Sequence, residues 1–585
     1  MNLKINILTS LVFLMATISL YGQGNSEHIA VDDYQRTINR SEKISTHPQL
    51  NDSVIELPKI KYYIEPTYQE VTFDTKPIKA AKLKIKEPLT KIYNGYVKAG
   101  LGLYTTPFLN AYYGSNRSKT NSWGINVKHF SSLTNLKNVG YNLFSDNEAN
   151  VFYKHFFKKN TFYNHLNYER NKFHYYGFEA NDSLRIPEDY RESELATKQL
   201  YQTIKYNAML KSMHNDSAKI NHTTDFDYYY LNGRTGINEH DFVIKSNIYK
   251  YLEREEVGAD VSLSINHLTQ ENLQLINSTV TPLSGSQTGM KYGNSIFKLN
   301  PFIKTRRGNL LAKVGVGIHT EITHVARFYF YPDLNVSYSL FNDIFVPYAG
   351  LTGGMQKNTF NSFRLENPYV KENISTRHLN ENVAYRNSNQ RINIFGGFKG
   401  SISSTLSFNL KAQFEKIHNF VMFVNDTLYS YENKFAVEYD SIDKTTLSAQ
   451  IGYQLKEKIK LTLHGEYYNY SMLEEEHAWY KPDFIVGVAG IYDLSNKIIA
   501  RLNINVIGTR KAYSLKAIDD VTPIEGKYIY DLKPFVDVNL GLEYRYNKRL
   551  SAFLNLNNIT GKKYQEWANY PVYSFNLLGG VTYSF

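Results

Sequence analysis

A run of strict two-residue alternation near the C-terminus limits the fold of this chain more than any other feature. Every second side chain is apolar or aromatic: Val536, Val538, Leu540, Leu542, Tyr544 and Tyr546. The residues between them are small, polar or charged: Asp537, Asn539, Gly541, Glu543 and Arg545. A period of two places these two sets on opposite faces of a β-strand. One face is therefore apolar, and the other carries the charges.

The same alternation recurs in earlier segments of about 9 to 12 residues, the length that a tilted strand needs to cross a bilayer. The alternation is present at 406–415 and 498–506, and the earlier stretches 97–103 and 310–318 agree with it. A soluble β-sandwich also alternates, but its strands average about 5 to 6 residues. A basic side chain facing lipid costs about 2 to 4 kcal/mol at the bilayer midplane, so the charged face must line a wet interior. The pattern predicts an all-β protein, a transmembrane antiparallel β-barrel.

Connections between the alternating segments predict the number of strands. Tight turns are expected at Ser401–Thr405, Lys456–Lys458, Ser495–Lys497 and Asn547–Arg549. Long loops are expected at about 416–444, 468–483, 509–533 and 558–573. Nine strands then follow Arg391, and the same spacing extended back to Tyr93 predicts about 22 strands, with 20 and 24 also compatible with even-numbered closure.

The N-terminus has the pattern of a secretory signal peptide over residues 1–22. Lys4 supplies the positive charge, an apolar stretch follows to Leu20, and small or polar residues mark its end: Ser19, Gly22 and Gln23. The alternative is a membrane-anchoring helix, but the apolar stretch is short and interrupted by polar residues. The chain contains no Cys, which excludes disulfides, thiolate metal sites and a lipidated N-terminal cysteine. We therefore expect export to the outer membrane, with the barrel occupying residues 93–585.

Residues 23–92 predict a short, irregular periplasmic leader that is rich in Pro and Lys. Five prolines interrupt it, at positions 48, 58, 66, 77 and 88. Its last part, 79–91, carries five Lys against one Glu. It is either a solvated linker or a docking peptide for a periplasmic partner or for the barrel's own lumen.

Composition agrees with a barrel in a membrane. The chain has 49 Tyr and 33 Phe, yet 21% of its residues are charged. Amphipathic rings suit the two interfacial girdles of a barrel, while its lumen and loops stay polar. The formal net charge of +11 could instead indicate nucleic-acid binding. We expect no nucleic-acid partner, because Lys and Arg alternate with apolar residues and export removes the chain from nucleic acid.

Three C-terminal segments, 531–544, 554–564 and 579–585, resemble the closing strands of TonB-dependent receptors. The resemblance implies a 22-stranded barrel, import of scarce nutrients, and insertion by the barrel-assembly machinery. That machinery would read a C-terminal signal that ends on an aromatic residue: Phe575, Leu577, Val581, Tyr583 and Phe585. Family members carry a globular plug of well over a hundred residues before the barrel. This chain has about 70 residues there, so we expect the plug to be lacking.

No motif predicts an enzyme, a metal site or a cofactor. HExxH, the P-loop and GxSxG are all missing from the sequence. The charge run Glu474–His477 could bind a cation, but its composition favours a solvated outer loop. Eight polar or charged residues are predicted to line the lumen: Lys411, Glu415, His464, Glu466, Arg501, Asp537, Glu543 and Arg545. Their mixed signs predict either a path without strong ion selectivity or internal ion pairs in a closed lumen.

Two functional hypotheses follow for this outer-membrane protein. The first is a transport or diffusion barrel that is blocked by its leader, its loops or another protein, because a 22-stranded cylinder is too wide to fill with side chains. The alternative is a non-transporting scaffold or accessory subunit whose leader docks periplasmic partners. An enzyme with its site on the outer loops is a third, weaker alternative. The expected partners are outer-membrane lipid, the barrel-assembly machinery, and a periplasmic or outer-membrane protein.

Overall fold

The computed structural model describes residues 92–585 except for eleven short gaps. These are 116–117, 137–138, 179–187, 192, 213–218, 271–289, 324, 373–384, 427–429, 431 and 517–525. The signal peptide expected at 1–22 and almost all of the leader expected at 23–92 lie outside the described residues. Both boundaries stay predictions.

One antiparallel sheet of 22 strands makes up most of the described chain. Its first eleven strands are β1 (Gly95–Gly102), β2 (Thr106–Gly114), β3 (Asn121–Ser132), β4 (Phe144–Phe156), β5 (Asn160–His174), β6 (Lys198–Ser212), β7 (Asn221–Gly233), β8 (Ile237–Leu252), β9 (Glu255–Gln270), β10 (Met290–Arg307) and β11 (Leu310–Ile322). The next eight are β12 (Ala326–Tyr338), β13 (Val346–Gln356), β14 (Ser388–Ser403), β15 (Leu406–Asn425), β16 (Phe435–Leu455), β17 (Ile459–Met472), β18 (Phe484–Leu494) and β19 (Ile498–Ile507). The last three are β22 (Phe535–Arg545), β23 (Leu550–Asn557) and β26 (Asn576–Ser584).

The described parts of the connections contain two small hairpins and three short helices. The hairpins are β20 (Arg510–Lys516) with β21 (Gly526–Leu532), and β24 (Gln565–Trp567) with β25 (Tyr570–Pro571). The helices are α1 (Glu188–Arg191), α2 (Glu194–Thr197) and α3 (Phe360–Glu366). Among the described residues, no helix has the length and apolar content that a membrane span requires.

The sheet closes on itself. Each barrel strand pairs antiparallel with the next one along the chain, β19 pairs with β22, and β23 pairs with β26. The ring is completed between β26 and β1, where Val97 lies opposite Tyr583 and Leu101 lies opposite Gly579. The predicted all-β barrel of 22 strands is confirmed, and nine of its strands run from β14 to the C-terminus as expected.

The two ends of the barrel carry different connections. The first residues of β1 and the C-terminal Phe585 meet at one end, which we call the turn end. Its connections include the predicted tight turns, observed at 404–405, 456–458, 495–497 and 546–549. The opposite end, which we call the loop end, carries the longer connections, including 357–387, 508–534 and 558–575.

Two predicted loops were wrong in length. The expected loop at 416–444 is only 426–434, because β15 continues to Asn425 and β16 begins at Phe435. The expected loop at 468–483 begins only after Met472. A register shift between Ile417 and Phe420 interrupts the alternation in β15, and a bulge of this kind hides the continuation of a strand from a period-two test.

The outer face of the barrel is apolar. Leu101 is 60% exposed and Val581 is 53% exposed, as expected for side chains that face lipid. At the turn end the rings of Trp123 and Phe585 flank that of Tyr113, with centroids 5.8 and 6.1 Å from it. Aromatic girdles mark the membrane interfaces of such barrels. The chain is therefore an outer-membrane protein.

Candidate functional site

The inner wall of the barrel is polar, and its charges are paired between neighbouring strands. Lys205 on β6 lies 2.6 Å from Glu169 on β5, and Lys313 on β11 lies 2.7 Å from Asp333 on β12. Such cross-strand pairs cancel charge locally. No single sign of charge therefore dominates these parts of the wall.

The residues predicted to line the lumen lie in two regions of this wall. The first region is formed by β15, β16 and β17. Here Glu415 pairs with Lys444 at 3.6 Å, and Glu466 accepts a hydrogen bond from the Tyr468 hydroxyl. The Lys411 ammonium lies over the Phe395 ring. In the same region His464 packs on Gly487, where a methyl group would lie 2.0 Å from the imidazole Cε1.

The second region is formed by β19 and β22. Arg501 lies 3.0 Å from Glu543, and Arg545 lies 3.6 Å from the same carboxylate. Asp537 accepts a hydrogen bond of 2.6 Å from the amide of Asn539. Several of the predicted residues are therefore engaged with one another or with other neighbours. Their part in a transport path stays a proposal.

Connections at the loop end fold together into a buried apolar cluster, which we call the aromatic cap. Its buried members come from strand ends and from connections: Tyr175, Tyr176, Tyr201, Leu231, Ile237, Leu268, Tyr292, Phe360, Phe363, Tyr369, Val370, Tyr385, Met422, Phe423, Val424, Phe435, Ala436, Val437, Trp479, Tyr480, Ala512, Tyr513, Leu532, Trp567, Ala568 and Tyr570. The connections after β13, β17, β19 and β23 all contribute to it. The cap therefore joins elements from distant parts of the sequence.

Close ring contacts hold the cap together. Trp567, on hairpin β24–β25, packs edge-on against Phe423 and at a steep angle against Phe435, with centroid distances of 5.4 and 5.3 Å. The ring of Trp479 stacks on that of Tyr513 at 5.1 Å. Each aromatic pair of this kind contributes about 0.5 to 1.5 kcal/mol beyond the burial of its surface. The cap is thus packed in the manner of a protein core.

Hydrogen bonds fix the hairpins of the cap to one another. The Arg510 guanidinium on β20 donates through Nη2 to the carbonyl of Gln565 at 2.7 Å, and through Nη1 to that of Glu566. The Tyr570 hydroxyl donates to the carbonyl of Asn433. These bonds satisfy buried backbone acceptors, which stabilises the inward position of both hairpins.

The segment 357–372 enters the cap through a polar anchor on the barrel wall. The buried Glu239 carboxylate on β8 accepts the backbone N–H groups of Phe360 and Asn361, each at 2.9 Å. These donors lie in the first turn of α3, where backbone N–H groups have no partner within the helix. Lys357 also forms an ion pair with Asp241 on β8. The wall therefore holds the N-terminus of α3 by charge and hydrogen bonding.

No family model matches the sequence, and no curated protein matches it. The fold, however, is similar to that of solved outer-membrane receptors. The pyoverdine outer membrane receptor FpvA from Pseudomonas aeruginosa, bound to pyoverdine, is 13% identical with a TM-score of 0.62, over 85% of this chain and 79% of that one. The ferric-catecholate import receptor Fiu from E. coli is 10% identical with a TM-score of 0.59, over 84% and 82%. The FrpB iron transporter from Neisseria meningitidis is 10% identical with a TM-score of 0.62, over 85% and 82%.

This chain has a receptor-type barrel fold. At these identities the likeness extends to the fold alone, which is what the C-terminal segments predicted. Val581 and Tyr583 on the closing strand β26, and Phe575 and Phe585 next to its two ends, are all exposed. Recognition of these residues and Leu577 by the assembly machinery stays a prediction.

Sequence reasoning did not find the aromatic cap. The high Tyr and Phe content predicts interfacial girdles, but many of these rings lie in the connections at the loop end. A usable signal was the position of Tyr369, Trp479, Trp567 and Tyr570 within segments predicted as loops or left unassigned. Large aromatic rings are costly to leave in water, so several of them in long connections indicate a packed loop core.

The acidic run before His477 has structural partners. The Asp440 carboxylate accepts the backbone N–H groups of Glu474 and Glu475, and the Glu475 carboxylate accepts the Trp479 indole N–H at 2.9 Å. Within the described ranges, no group of three His, Asp or Glu side chains has an arrangement that could hold a metal ion.

Proposed function

We propose that this protein is an outer-membrane transport barrel whose outer mouth is closed by its own aromatic cap. The observation that supports this most directly is the buried ring cluster across the loop end of a barrel too wide to be filled by wall side chains. A solute would enter after the cap loosens. The proposal describes a transporter and not an enzyme.

The cap would take over part of the occluding role of a plug. The matched structures are a pyoverdine-bound receptor, an import receptor and an iron transporter, and transport by this chain is proposed by analogy with them. We further propose that the chain lacks a plug of their type. The leader at 23–92 would then serve as a docking segment for a periplasmic partner or as a second block in the lumen.

The lumen wall suggests the kind of solute. The pairs Arg501–Glu543 and Lys444–Glu415 bring opposite charges together on neighbouring strands. A wall neutralised in this way favours neither cations nor anions strongly. We propose that the path, when open, discriminates by size and hydrogen bonding more than by charge.

The same packed cap also favours the second function, a non-transporting scaffold. A barrel that never opens needs a stable seal, and the cap is held by aromatic packing and by the buried Glu239 anchor. In that case the leader and the exposed loops would bind partner proteins. The two functions differ in whether the cap opens.

Conductance in planar bilayers separates them. The full chain is compared with the double variant Phe435→Ala/Trp567→Ala, which removes two central rings of the cap. The matched control is Trp123→Ala, which removes a large ring from the outer girdle instead. For a transport barrel we expect small currents from the wild type and the control, and large steps from the cap variant.

A cap variant that folds, inserts and still passes no current contradicts the transport proposal. Folding is checked by the mobility difference between heated and unheated samples on a gel. The scaffold gains support if such a silent barrel co-purifies with a stoichiometric protein that is released when residues 23–92 are deleted.

A further inference from the structure

One joint of the barrel is much less paired than its neighbours. β12 pairs with β11 along its whole length, from Ala326 to Tyr338. With β13 it shares only four residue pairs, in which Leu334–Ser337 lie opposite Leu351–Tyr348. Towards the loop end from these pairs, residues 326–333 of β12 and 352–356 of β13 form no ladder with each other. This part of β13 pairs only with β14. We call this loop-end part of the joint the seam.

Side chains bridge the seam in place of a backbone ladder. The Met355 backbone N–H on β13 donates to Nδ1 of His319 on β11 at 3.2 Å, and the Met355 carbonyl accepts from Lys298 Nζ on β10 at 2.6 Å. The Tyr331 hydroxyl on β12 reaches past β13 and donates to Asn389 on β14 at 2.8 Å. Asn387, directly before β14, also donates to Glu321 on β11 at 2.7 Å. Strands that would normally exchange backbone hydrogen bonds are thus connected by side chains.

The local sequence explains why the ladder stops. Pro332 lies at the base of the seam on β12, and proline within a sheet is confined to edges and bulges because it has no N–H. On β13 the register with β14 shifts between Thr352 and Gly354, a bulge that bends a strand away from its neighbour. Gly353 leaves room for the Tyr331 ring, since a methyl group there would lie 2.7 Å from Tyr331 Cδ1.

The seam lies in the wall that faces lipid. Phe328 and Phe330, on the outer face of β12 beside the seam, are each 64% exposed. Backbone N–H and C=O groups that lack partners are costly next to hydrocarbon. At the seam, a few side-chain bonds take the place of the missing ladder. A long ladder separates only if many backbone bonds break together, whereas isolated side-chain bonds can break and re-form locally. The seam is therefore the weakest part of the ring.

The seam also connects directly to the cap. β13 ends at Gln356, and the next residues, 357–372, carry α3 and the cap residues Phe360, Phe363 and Tyr369. A movement of the upper part of β13 would carry this segment with it. From these relationships we propose that the β12–β13 seam is the joint at which the barrel opens. In this movement β13 separates from β12, and segment 357–372 releases its bonds to Glu239 and Asp241 on β8. The opening then faces the outer leaflet as well as the outer mouth.

This inference deepens the proposed transport function and can be tested apart from it. The chain has no Cys, so spin labels attach only where cysteines are introduced. One label is placed at Ile204, an outward-facing residue on β6, which is about a third of the ring away from β13. The second is placed at Gln356 on β13 or, as the matched control, at Phe328 on β12. Electron–electron double resonance on the full chain in lipid nanodiscs gives the two distance distributions.

We expect two populations for the Ile204–Gln356 pair and one narrow population for the Ile204–Phe328 pair. Tyr331→Phe removes the bond to Asn389 while keeping the ring, and should enlarge the second population roughly five-fold, as expected for the loss of one hydrogen bond. Tyr338→Phe, on the same strand below the seam, should leave both distributions unchanged. A single narrow distance from Gln356 that Tyr331→Phe does not alter overturns the inference.

Conductance of the same variants separates the two proposals. If Tyr331→Phe moves β13 but passes no more current than the wild type, the seam is a moving joint and the transport proposal fails. If the cap variant conducts while Gln356 keeps one distance, transport stands and the cap opens without the seam.

Discussion

The ring of Tyr369 stacks on the ring of Tyr570, with centroids 3.5 Å apart and planes inclined by 19°. The two residues belong to connections that follow β13 and β23, on well-separated parts of the barrel wall. Their contact therefore spans the mouth of the barrel. It joins the segment that carries α3 to hairpin β24–β25, and both would have to separate for the mouth to open.

Replacement of Tyr570 by Ala should loosen the cap and leave the barrel intact. The variant loses the Tyr369 stack and the hydroxyl bond to the Asn433 carbonyl. Truncation of a buried aromatic residue lowers the free energy of unfolding by about 3 to 5 kcal/mol. Here the loss should affect mainly the loop end. Hydrogen exchange should accelerate in 357–372 and 558–575 and not in the strands. Tyr544→Ala, which removes a lipid-facing ring, is the control, and equal acceleration in both variants would contradict the assignment.

Replacement of Glu239 by Ala should release the N-terminus of α3. The buried carboxylate accepts two backbone N–H groups there, and an unsatisfied buried donor costs about 1 to 3 kcal/mol. We expect faster proteolysis within 357–372 while the barrel keeps its heat-dependent gel mobility. Glu457→Ala, in an exposed turn at the opposite end, should leave the cleavage rate unchanged. Cleavage of Glu239→Ala at the wild-type rate would show that the anchor is dispensable.

The cap should be more stable at acidic than at neutral pH. Burial raises the pKa of Glu372 above its ordinary value, and this effect outweighs the opposing influence of Lys434 and Arg234. A carboxyl group with a raised pKa in the folded state destabilises that state when it ionises. The penalty is absent below the ordinary pKa, grows between the ordinary pKa and the raised one, and is complete above the raised one. Hydrogen exchange in the cap should therefore accelerate with rising pH beyond its intrinsic pH dependence.

Glu372→Gln isolates this contribution, because it keeps the shape of the side chain and cannot ionise. The extra acceleration should be reduced in this variant, with wild-type behaviour retained in strands distant from the cap. An identical pH profile in both proteins would exclude Glu372 as its source.

The pair Arg501–Glu543 should contribute little to stability. The Arg501 Nη2 and Glu543 Oε2 atoms lie 3.0 Å apart, but the two side chains are 24% and 16% exposed. Solvent therefore screens the interaction. A double-mutant cycle with Arg501→Ala and Glu543→Ala should give a coupling energy of about 0.5 to 1 kcal/mol. Urea denaturation in detergent measures it. A coupling of several kcal/mol would instead indicate a dry, rigid lumen at this height.

The barrel was predictable because its cause is local. In Val536–Tyr546 the residue type at each position indicates whether that side chain faces lipid or water. The fold could therefore be predicted without knowledge of any long-range contact. The cap was not predictable in this way, because the Tyr369–Tyr570 stack depends on a closed ring that brings two distant connections together. One local signal was missed: Val421–Val424 is continuously apolar within a predicted loop, which indicates a strand end buried on both faces.

The seam illustrates the same limit. Pro332 and the pair Gly353–Gly354 are visible in the sequence, and each alone indicates a bulge or an edge. Their effect on one joint depends on β12 and β13 being neighbours in register, which the alternation does not specify. The contacts of the predicted lumen residues could not be predicted for the same reason. His464 and Gly487, for example, lie side by side only because β17 pairs with β18.

The C-terminal Phe585 should be required for efficient insertion more than for stability. Its ring stacks on Tyr113 at 6.1 Å on the outer face, where loss of one partly exposed ring costs little. If the assembly machinery reads this residue, as the resemblance implies, Phe585→Ala should slow insertion into membranes that contain the machinery. Spontaneous folding into detergent should proceed at the wild-type rate. Tyr546→Ala, a more exposed ring at the same end of the barrel, is the matched control. Equal slowing of Phe585→Ala in both settings would mean that the ring acts through packing and not through recognition.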